Sequence, residues 1–247
     1  MDCVLDLDLD FFVWPISTGR RRYKRLPQRE CTHLASDGDV RHFLEERCHL
    51  NASVNKPIGH EVVEHDEAFR VFRRWLSECR LTQPFAIIHV DAHADLGAGV
   101  NQSFTYLDSL LELPLDQRAY PQFGRNYLND GNYLLGALAN RWVSSLTYVY
   151  PAGGGSKSTP SDLPHQCFLN GEYETGKIQL KGYGPGDWMR ANPKPKHIEP
   201  CVPFFLKEGG GFEFSGFTHM LLAQSPRYTP KSADLLLAGI REYFTEA

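Results

Sequence analysis

The sequence predicts an α/β protein: one three-layer domain over residues 1–247 with a mainly parallel central sheet. Three observations carry this. Strand-like apolar runs alternate with stretches of helical periodicity along the chain. The composition, 42% hydrophobic and 23% charged, is that of a globular protein. The densest carboxylate and histidine strings directly follow strand-like runs, where an α/β sheet places its functional loops. No internal repeat or linker divides the chain, and a single domain of this length buries roughly 70% of its unfolded surface.

The elements follow in order. Residues 3–9 (Cys-Val-Leu-Asp-Leu-Asp-Leu) alternate strictly and predict a strand. Residues 38–50 predict a helix with Val40, Phe43, Leu44 and Cys48 on one stripe. A stronger helix is expected over 64–80, where Ala68, Phe69, Phe72, Leu76 and Cys79 recur at helical spacing. Residues 85–90 (Phe-Ala-Ile-Ile-His-Val) predict a buried strand, 104–112 and 132–143 helices, and 146–150 another strand. Near the end, 218–223 predicts a strand and 230–245 a helix opened by Pro230. The Gly/Pro-rich stretches 151–165 and 182–203 are expected to be long loops, framing an open cleft or closing as a lid.

Several function classes are disfavoured by composition. The longest apolar runs, such as Phe85–Ile88, are too short to span a bilayer. Asp2, Asp6, Asp8 and Asp10 interrupt the first apolar stretch, so no secretory signal is expected. Lysine and arginine number 26 against 30 acidic residues, a net charge of −4 that argues against a general nucleic-acid binder. The six cysteines include no C-x-x-C pair, which favours reduced thiols and a cytoplasmic location over a disulfide framework or a thiolate zinc site.

The most informative string is His89-Val90-Asp91-Ala92-His93-Ala94-Asp95. In extended backbone, Asp91, His93 and Asp95 share one face at the carboxyl end of a strand. Two carboxylates and an imidazole without a thiolate suit Mn²⁺, and also Fe²⁺, Co²⁺ or Zn²⁺. The bland alternative is a polar strand end with helix-capping aspartates. The second string, Leu5-Asp6-Leu7-Asp8-Leu9-Asp10, puts three aspartates on one face of a strand whose other face is leucine. Buried carboxylates at that spacing need a cation, whereas a solvated edge strand would not. The third, Glu64-His65-Asp66-Glu67, opens the long helix and offers His65 as a further ligand, with His60 competing for the role.

Together these strings resemble the ureohydrolase superfamily of arginases and agmatinases, with metal-dependent deacetylases as more distant kin. Asp91-Ala92-His93-Ala94-Asp95 matches the D-A-H-x-D signature. Asp8-Leu9-Asp10-Phe11-Phe12 and Glu64-His65-Asp66-Glu67-Ala68 look like the D-x-D pair and first histidine of a divergent branch. Within the superfamily the resemblance is nearest to peptide arginases, which convert arginine side chains of ribosomally made peptides to ornithine. Ser225-Pro226-Arg227-Tyr228-Thr229-Pro230 is a weaker likeness to the same branch.

The resemblance implies an arginase-like domain, two Mn²⁺ ions, and an arginine-containing precursor peptide as substrate. It implies one metal held by His65, Asp91, Asp95 and a bridging Asp8, and another by His93, Asp10 and the bridging Asp91 and Asp8. It also implies Asp91 and Asp95 as the catalytic aspartates, Asp95 accepting a proton. Two departures stand out. D-x-D opens this chain instead of following D-A-H-x-D, and Leu134 occupies the place of the proton-carrying histidine after Asp130-Gly131-Asn132-Tyr133. Asn132, Asp130 and Glu67 are the candidates for substrate contact.

Three other functions fit the same residues: a small-molecule ureohydrolase, a one-metal amide deacetylase, and a catalytically inert peptide-binding module that keeps metal for structure. The basic run Arg20–Arg25 is a solvated loop or a dock for an acidic leader segment. The glycine triplets at 153–155 and 209–211 lack phosphate-loop spacing.

Overall fold

In the computed structural model the described residues are 1–17, 25–97, 100–121, 128–152, 176–184, 187, 192 and 194–247. In chain order they form β1 (Cys3–Asp8), β2 (Val13–Trp14), β3 (His33–Leu34), α1 (Asp37–His42), β4 (Ile58–Val62), α2 (Glu67–Ser77), β5 (Phe85–Val90) and α3 (Val100–Leu111). Then come α4 (Tyr133–Ala139), β6 (Val143–Tyr150), β7 (Lys177–Ile178), β8 (Lys181–Gly182), β9 (His197–Ile198), β10 (Val202–Glu208), β11 (His219–Ala223), α5 (Asp234–Arg241) and β12 (Thr245–Glu246).

Eight strands form one sheet in the order β12-β4-β11-β1-β5-β6-β10-β7. All neighbours are parallel except β7, which pairs antiparallel on β10. The α/β class with a mostly parallel sheet is therefore what the chain adopts. Strand alternation divides the core in two. Val4, Phe85, Ile87, Leu221 and Ala223 pack with residues of α2, α3 and α4, while Leu5, Leu7, Ile88, Val90 and Leu222 pack with residues of α1 and α5. Burial on both faces explains why β1 carries no solvent-facing row.

Local chemistry sets the helix boundaries. Ser36 and Asp39 form a reciprocal capping box that starts α1, which continues into a π-helical turn over Phe43–Arg47. The long helix begins at Glu67, not 64, because Glu67 Oε2 accepts the amides of Val63 and Glu64 and closes the turn before it. Helix α4 ends at Ala139, short of the expected 143: Asn140 turns its side-chain amide back onto Gly136 and Arg141 takes a left-handed conformation, φ 58°. Residues 231–233 form a 3₁₀ turn before α5, and Thr245–Glu246 becomes an edge strand instead of a last helical turn.

Besides the two-residue strands β2, β3, β7, β8, β9 and β12, two longer strands were not expected, β4 and β10. Part of the stretch expected as a loop over 182–203 instead supplies β9 and the start of β10, whose Phe204 is buried and Phe205 exposed. Residues 153–165 of the other expected loop lie outside the described residues, as do Arg20–Lys24. Arg25, the last of the basic run, is paired with Asp234 at 2.8 Å and donates to the Pro230 carbonyl, so it ties the chain to α5. Cys3, Cys31, Cys48, Cys79 and Cys201 are free thiols, and burial pushes the Cys3 thiol up to about 12; Cys167 lies outside the described residues. Among the described residues no helix is long and apolar enough to cross a membrane.

Glu199, just after β9, is a buried carboxylate that joins the segments before and after α4. Glu199 accepts from Arg118 at 2.8 Å and from Arg141 at 2.7 Å. Burial would raise its carboxyl pKa, but the two guanidinium groups overcome that and hold it below the usual range. A depressed carboxyl stabilises the fold above its ordinary titration range and loses that effect as pH falls through and below it. Glu199→Gln leaves Arg118 buried without its counter-charge and is expected to cost about 3 kcal/mol at pH 7. Urea unfolding at pH 7 and pH 3 checks this. The gap between variant and wild type should narrow at the lower pH, and an equal gap at both would exclude the electrostatic account.

Candidate metal centre

Four adjacent parallel strands, β4, β11, β1 and β5, deliver their carboxyl ends to one place. Asp6 stands opposite His89 and Leu7 opposite Val90, so Asp8 and Asp91 leave the sheet side by side. Ala223 stands opposite both Asp8 and Val62. The ladder runs on as Gln224 and Ser225 donate to the carbonyls of Val62 and Val63, which brings Ser225 and His65 to the same rim.

His65 Nδ1 lies 2.9 Å from Asp8 Oδ2, 3.0 Å from Asp91 Oδ2 and 3.2 Å from Asp95 Oδ2. All four residues are buried. Beside them, His93 Nδ1 lies 2.9 Å from Asp10 Oδ2 and 3.6 Å from Asp91 Oδ1. Asp91 thus faces one group with each of its oxygens. Atoms bound about 2.1 Å from one ion stand about 3 Å from each other, which is the spacing found around His65. His65 Nδ1, Asp91 Oδ2 and Asp10 Oδ2 are buried and have no hydrogen-bond partner. Lone pairs packed this closely must share either protons or a cation. The buried aspartates and histidines could hold a metal ion.

Each ligand atom is aimed by its other hydrogen bonds. Asp8 Oδ1 accepts the Asp10 amide, Asp10 Oδ1 the Ala92 amide and Asp91 Oδ1 the His93 amide. His93 Nε2 donates to the Ser17 carbonyl at 2.7 Å, which leaves its Nδ1 lone pair for a cation. Ser225 Oγ donates to Asp8 Oδ2 at 2.5 Å. Asp95 and Ser225 both take left-handed backbone, φ 50° and 47°, a conformation that costs a non-glycine residue of order 1 kcal/mol and collects at functional sites.

The protonation directions report concentrated negative charge. Burial, reinforced by Asp91, pushes Asp95 up to about 8. Burial and the neighbouring carboxylates also raise Asp8 and Asp10. His65 and His93 are raised although burial opposes their cations, because Tyr133, Asp6 and Asp8 face the first and Asp10 and Asp91 the second. His89 behaves differently. Its Nδ1 faces Asp6 Oδ2 at 3.1 Å and its Nε2 the His93 carbonyl at 3.0 Å. Both partners only accept, so both ring nitrogens carry protons. Burial disfavours that cation, yet the Asp6 hydrogen bond and the Asp91 charge raise His89 to about 9.

The structure therefore brings together Asp8, Asp10, His65, Asp91, His93 and Asp95. It does not bring in His60, which lies earlier, on β4, and belongs to none of the clusters among the described residues. Of the candidates for substrate contact, Glu67 spends Oε2 on the Val63 and Glu64 amides, and Asn132 Oδ1 accepts the Asn129 amide. Asp130 lies 3.5 Å from Arg227 at the rim. The sequence assigned no role to the supporting residues His89, Tyr133, Ser225 and Tyr228, whose ring lies tilted with its centre 4.9 Å from that of His93. Each lay within a quoted string: His89 two residues before D-A-H-A-D, Tyr133 after Asp130-Gly131-Asn132, and Ser225 and Tyr228 in the Ser225–Pro230 string.

No family model, curated protein or solved structure matches the chain. The ureohydrolase resemblance accordingly rests on the motifs alone.

A cation that binds the folded centre and not the unfolded chain must raise stability. Loading with Mn²⁺ at one hundred times its dissociation constant is expected to add about 2.7 kcal/mol, seen as a higher melting temperature that EDTA reverses. Identical melting curves with Mn²⁺ and with EDTA would contradict a metal centre.

Proposed function

We propose that the protein is a binuclear manganese peptide arginase, converting arginine side chains of a peptide to ornithine and urea. The observation that carries this reading is the sharing of Asp91 between two ligand groups, one around His65 and one around His93. Charge supports two ions. Asp6 is offset by the His89 imidazolium, and Asp8, Asp10, Asp91 and Asp95 leave four negative charges, the complement of two divalent cations. A one-metal deacetylase would not need the Asp10–His93 pair.

His65, Asp8, Asp91 and Asp95 would hold one ion, and His93, Asp10 and Asp91 the other. Such ions, when bound, lower the pKa of water and stabilise negative charge at the reacting carbon. Hydrolysis forms a bond from the water oxygen to the guanidinium carbon and breaks the bond from that carbon to the side-chain nitrogen. The water proton ends on the departing amine. Asp95, at the inner edge of the His65 group, is the residue assigned to carry that proton, as the resemblance implies. Asp130 at the rim is the acid placed to meet a cationic substrate, provided Arg227 yields it.

The choice of a peptide over a free amino acid rests on the resemblance. A groove of about 520 Å³, lined by Phe11, Trp14, His33, Phe43 and Arg47, has none of the six candidate metal-binding residues in its wall.

The deciding experiment incubates Mn²⁺-loaded protein with free arginine, agmatine and an arginine-containing peptide, and assays urea and mass. The peptide should release urea and lose the mass of its amidine group at each converted arginine. Asp91→Asn should abolish turnover while the circular dichroism spectrum is kept, because burial of Phe85, Ile87 and Ile88 holds β5 independently. Metal uptake without urea from any of the three would leave the inert binding module instead.

The choice of substrate has its own measurement. The peptide should exceed free arginine and agmatine in kcat/KM by tenfold or more, about 1.4 kcal/mol of transition-state preference. A small molecule ahead by that margin would identify a small-molecule ureohydrolase.

A further inference from the structure

Beneath the metal centre lies a second buried cluster that the proposed reaction does not use: Asp6, His89 and Tyr133. Tyr133 is the first residue of α4, and its hydroxyl reaches under His65. It donates to Asp6 Oδ2 at 2.5 Å and lies 2.9 Å from His65 Nε2 and 3.3 Å from His89 Nδ1. Asp6 Oδ1 lies 3.0 Å from the same His65 Nε2.

Asp6, His65 and His89 stand close enough to one another to pass for a third metal group. Proton accounting argues otherwise. Tyr133 has one proton, and its short contact to Asp6 takes it, so its oxygen is an acceptor toward the imidazoles. His89 donates through both nitrogens. The remaining donor must be His65 Nε2–H, shared between Asp6 Oδ1 and the Tyr133 oxygen. Every lone pair in this cluster then meets a proton, and no cation is required. With the proton fixed on Nε2, the other nitrogen, Nδ1, presents its lone pair to Asp8, Asp91 and Asp95.

We propose that Asp6 and Tyr133 are positioning residues for the metal centre, locking His65 in the Nε2-protonated tautomer so that Nδ1 is a ligand. The two residues come from different elements, β1 and α4. The lock thereby ties the sheet to the helix whose start carries Asp130 and Asn132. A carboxylate behind a metal-binding imidazole both orients the ring and raises its basicity, and losing such a partner typically weakens metal affinity 10–100-fold.

This inference rests on the metal-centre reading, and the test separates the two. Metal-free wild type, Tyr133→Phe and Asp6→Asn are titrated with Mn²⁺ by calorimetry, and the melting temperature of each metal-free form is recorded. Asp6→Asn should weaken the affinity by about 10–100-fold and Tyr133→Phe by about tenfold. A merely structural role would move the metal-free melting temperature and leave the dissociation constant alone. In the Zn²⁺-loaded wild type, nitrogen-15 shifts of the His65 ring should show the proton on Nε2. Dissociation constants within twofold of wild type in both variants, or a proton on Nδ1, would overturn the proposal. Should Asp6→Asn fail to fold, Tyr133→Phe decides by itself. Wild type that takes up no ion would overturn the metal centre, and the positioning role with it.

Discussion

Five carboxylates, Asp6, Asp8, Asp10, Asp91 and Asp95, are buried at one end of a sheet. Two unit charges 4 Å apart interact by about 4 kcal/mol at the effective dielectric of a protein boundary. No local propensity could hold such a group together unless cations were built in or bound. The protein supplies the His89 imidazolium, and the His65 and His93 imidazoles face the remaining carboxylates. The buried aspartates and histidines could hold a metal ion, which would offset the charge that is left. That constraint decides which residues flank the site, which backbone amides point into it, and why the strands beneath are buried on both faces.

The sheet meets the constraint by register. β1 and β5 are neighbours, each buried on both faces, and their parallel pairing sets Asp6 against His89 and carries Asp8 and Asp91 past the sheet edge together. Apolar burial of Leu5, Leu7, Phe85, Ile87 and Val90 offsets the unfavourable charge beyond them. β4 and β11, on the other side of β1, add His65 and Ser225. A one-residue slip of β1 against β5 would turn the aspartates into the opposite core, so register and charge placement enforce each other.

Around the ligands the structure invests in orientation. Backbone amides of Asp10, Ala92 and His93 hold three carboxylates, the Ser17 carbonyl holds His93, and Asp6 with Tyr133 holds His65. Hydrogen bonds of this kind keep a cluster of like charges in one geometry, because a backbone amide pins one oxygen of each of Asp8, Asp10 and Asp91. The segment Ser225–Tyr228 completes the wall through Asp8, Asp130, Glu64 and the His93 ring. It makes the rim acidic and aromatic at once.

Much of this was legible in the residues alone. The α/β class followed from alternating periodicities, and the six residues that converge were named from one string after a strand-like run, one within a strand and one at the opening of a helix, because an extended strand places i, i+2 and i+4 in predictable directions. β10 escaped notice because Pro200 and Pro203 at its start and Gly209–Gly211 after it masked a strand that pairs with β6. The tertiary structure alone decided that His65 and not His60 turns inward, that Glu67 caps its own turn, and that Asp6 lies beneath the ligands. These depend on which strands become neighbours and on which hydrogen-bond partners meet across them. Sequence spacing constrains directions within one element, whereas the tautomer of a histidine or the exposure of an acid is set by groups 40 to 217 positions away.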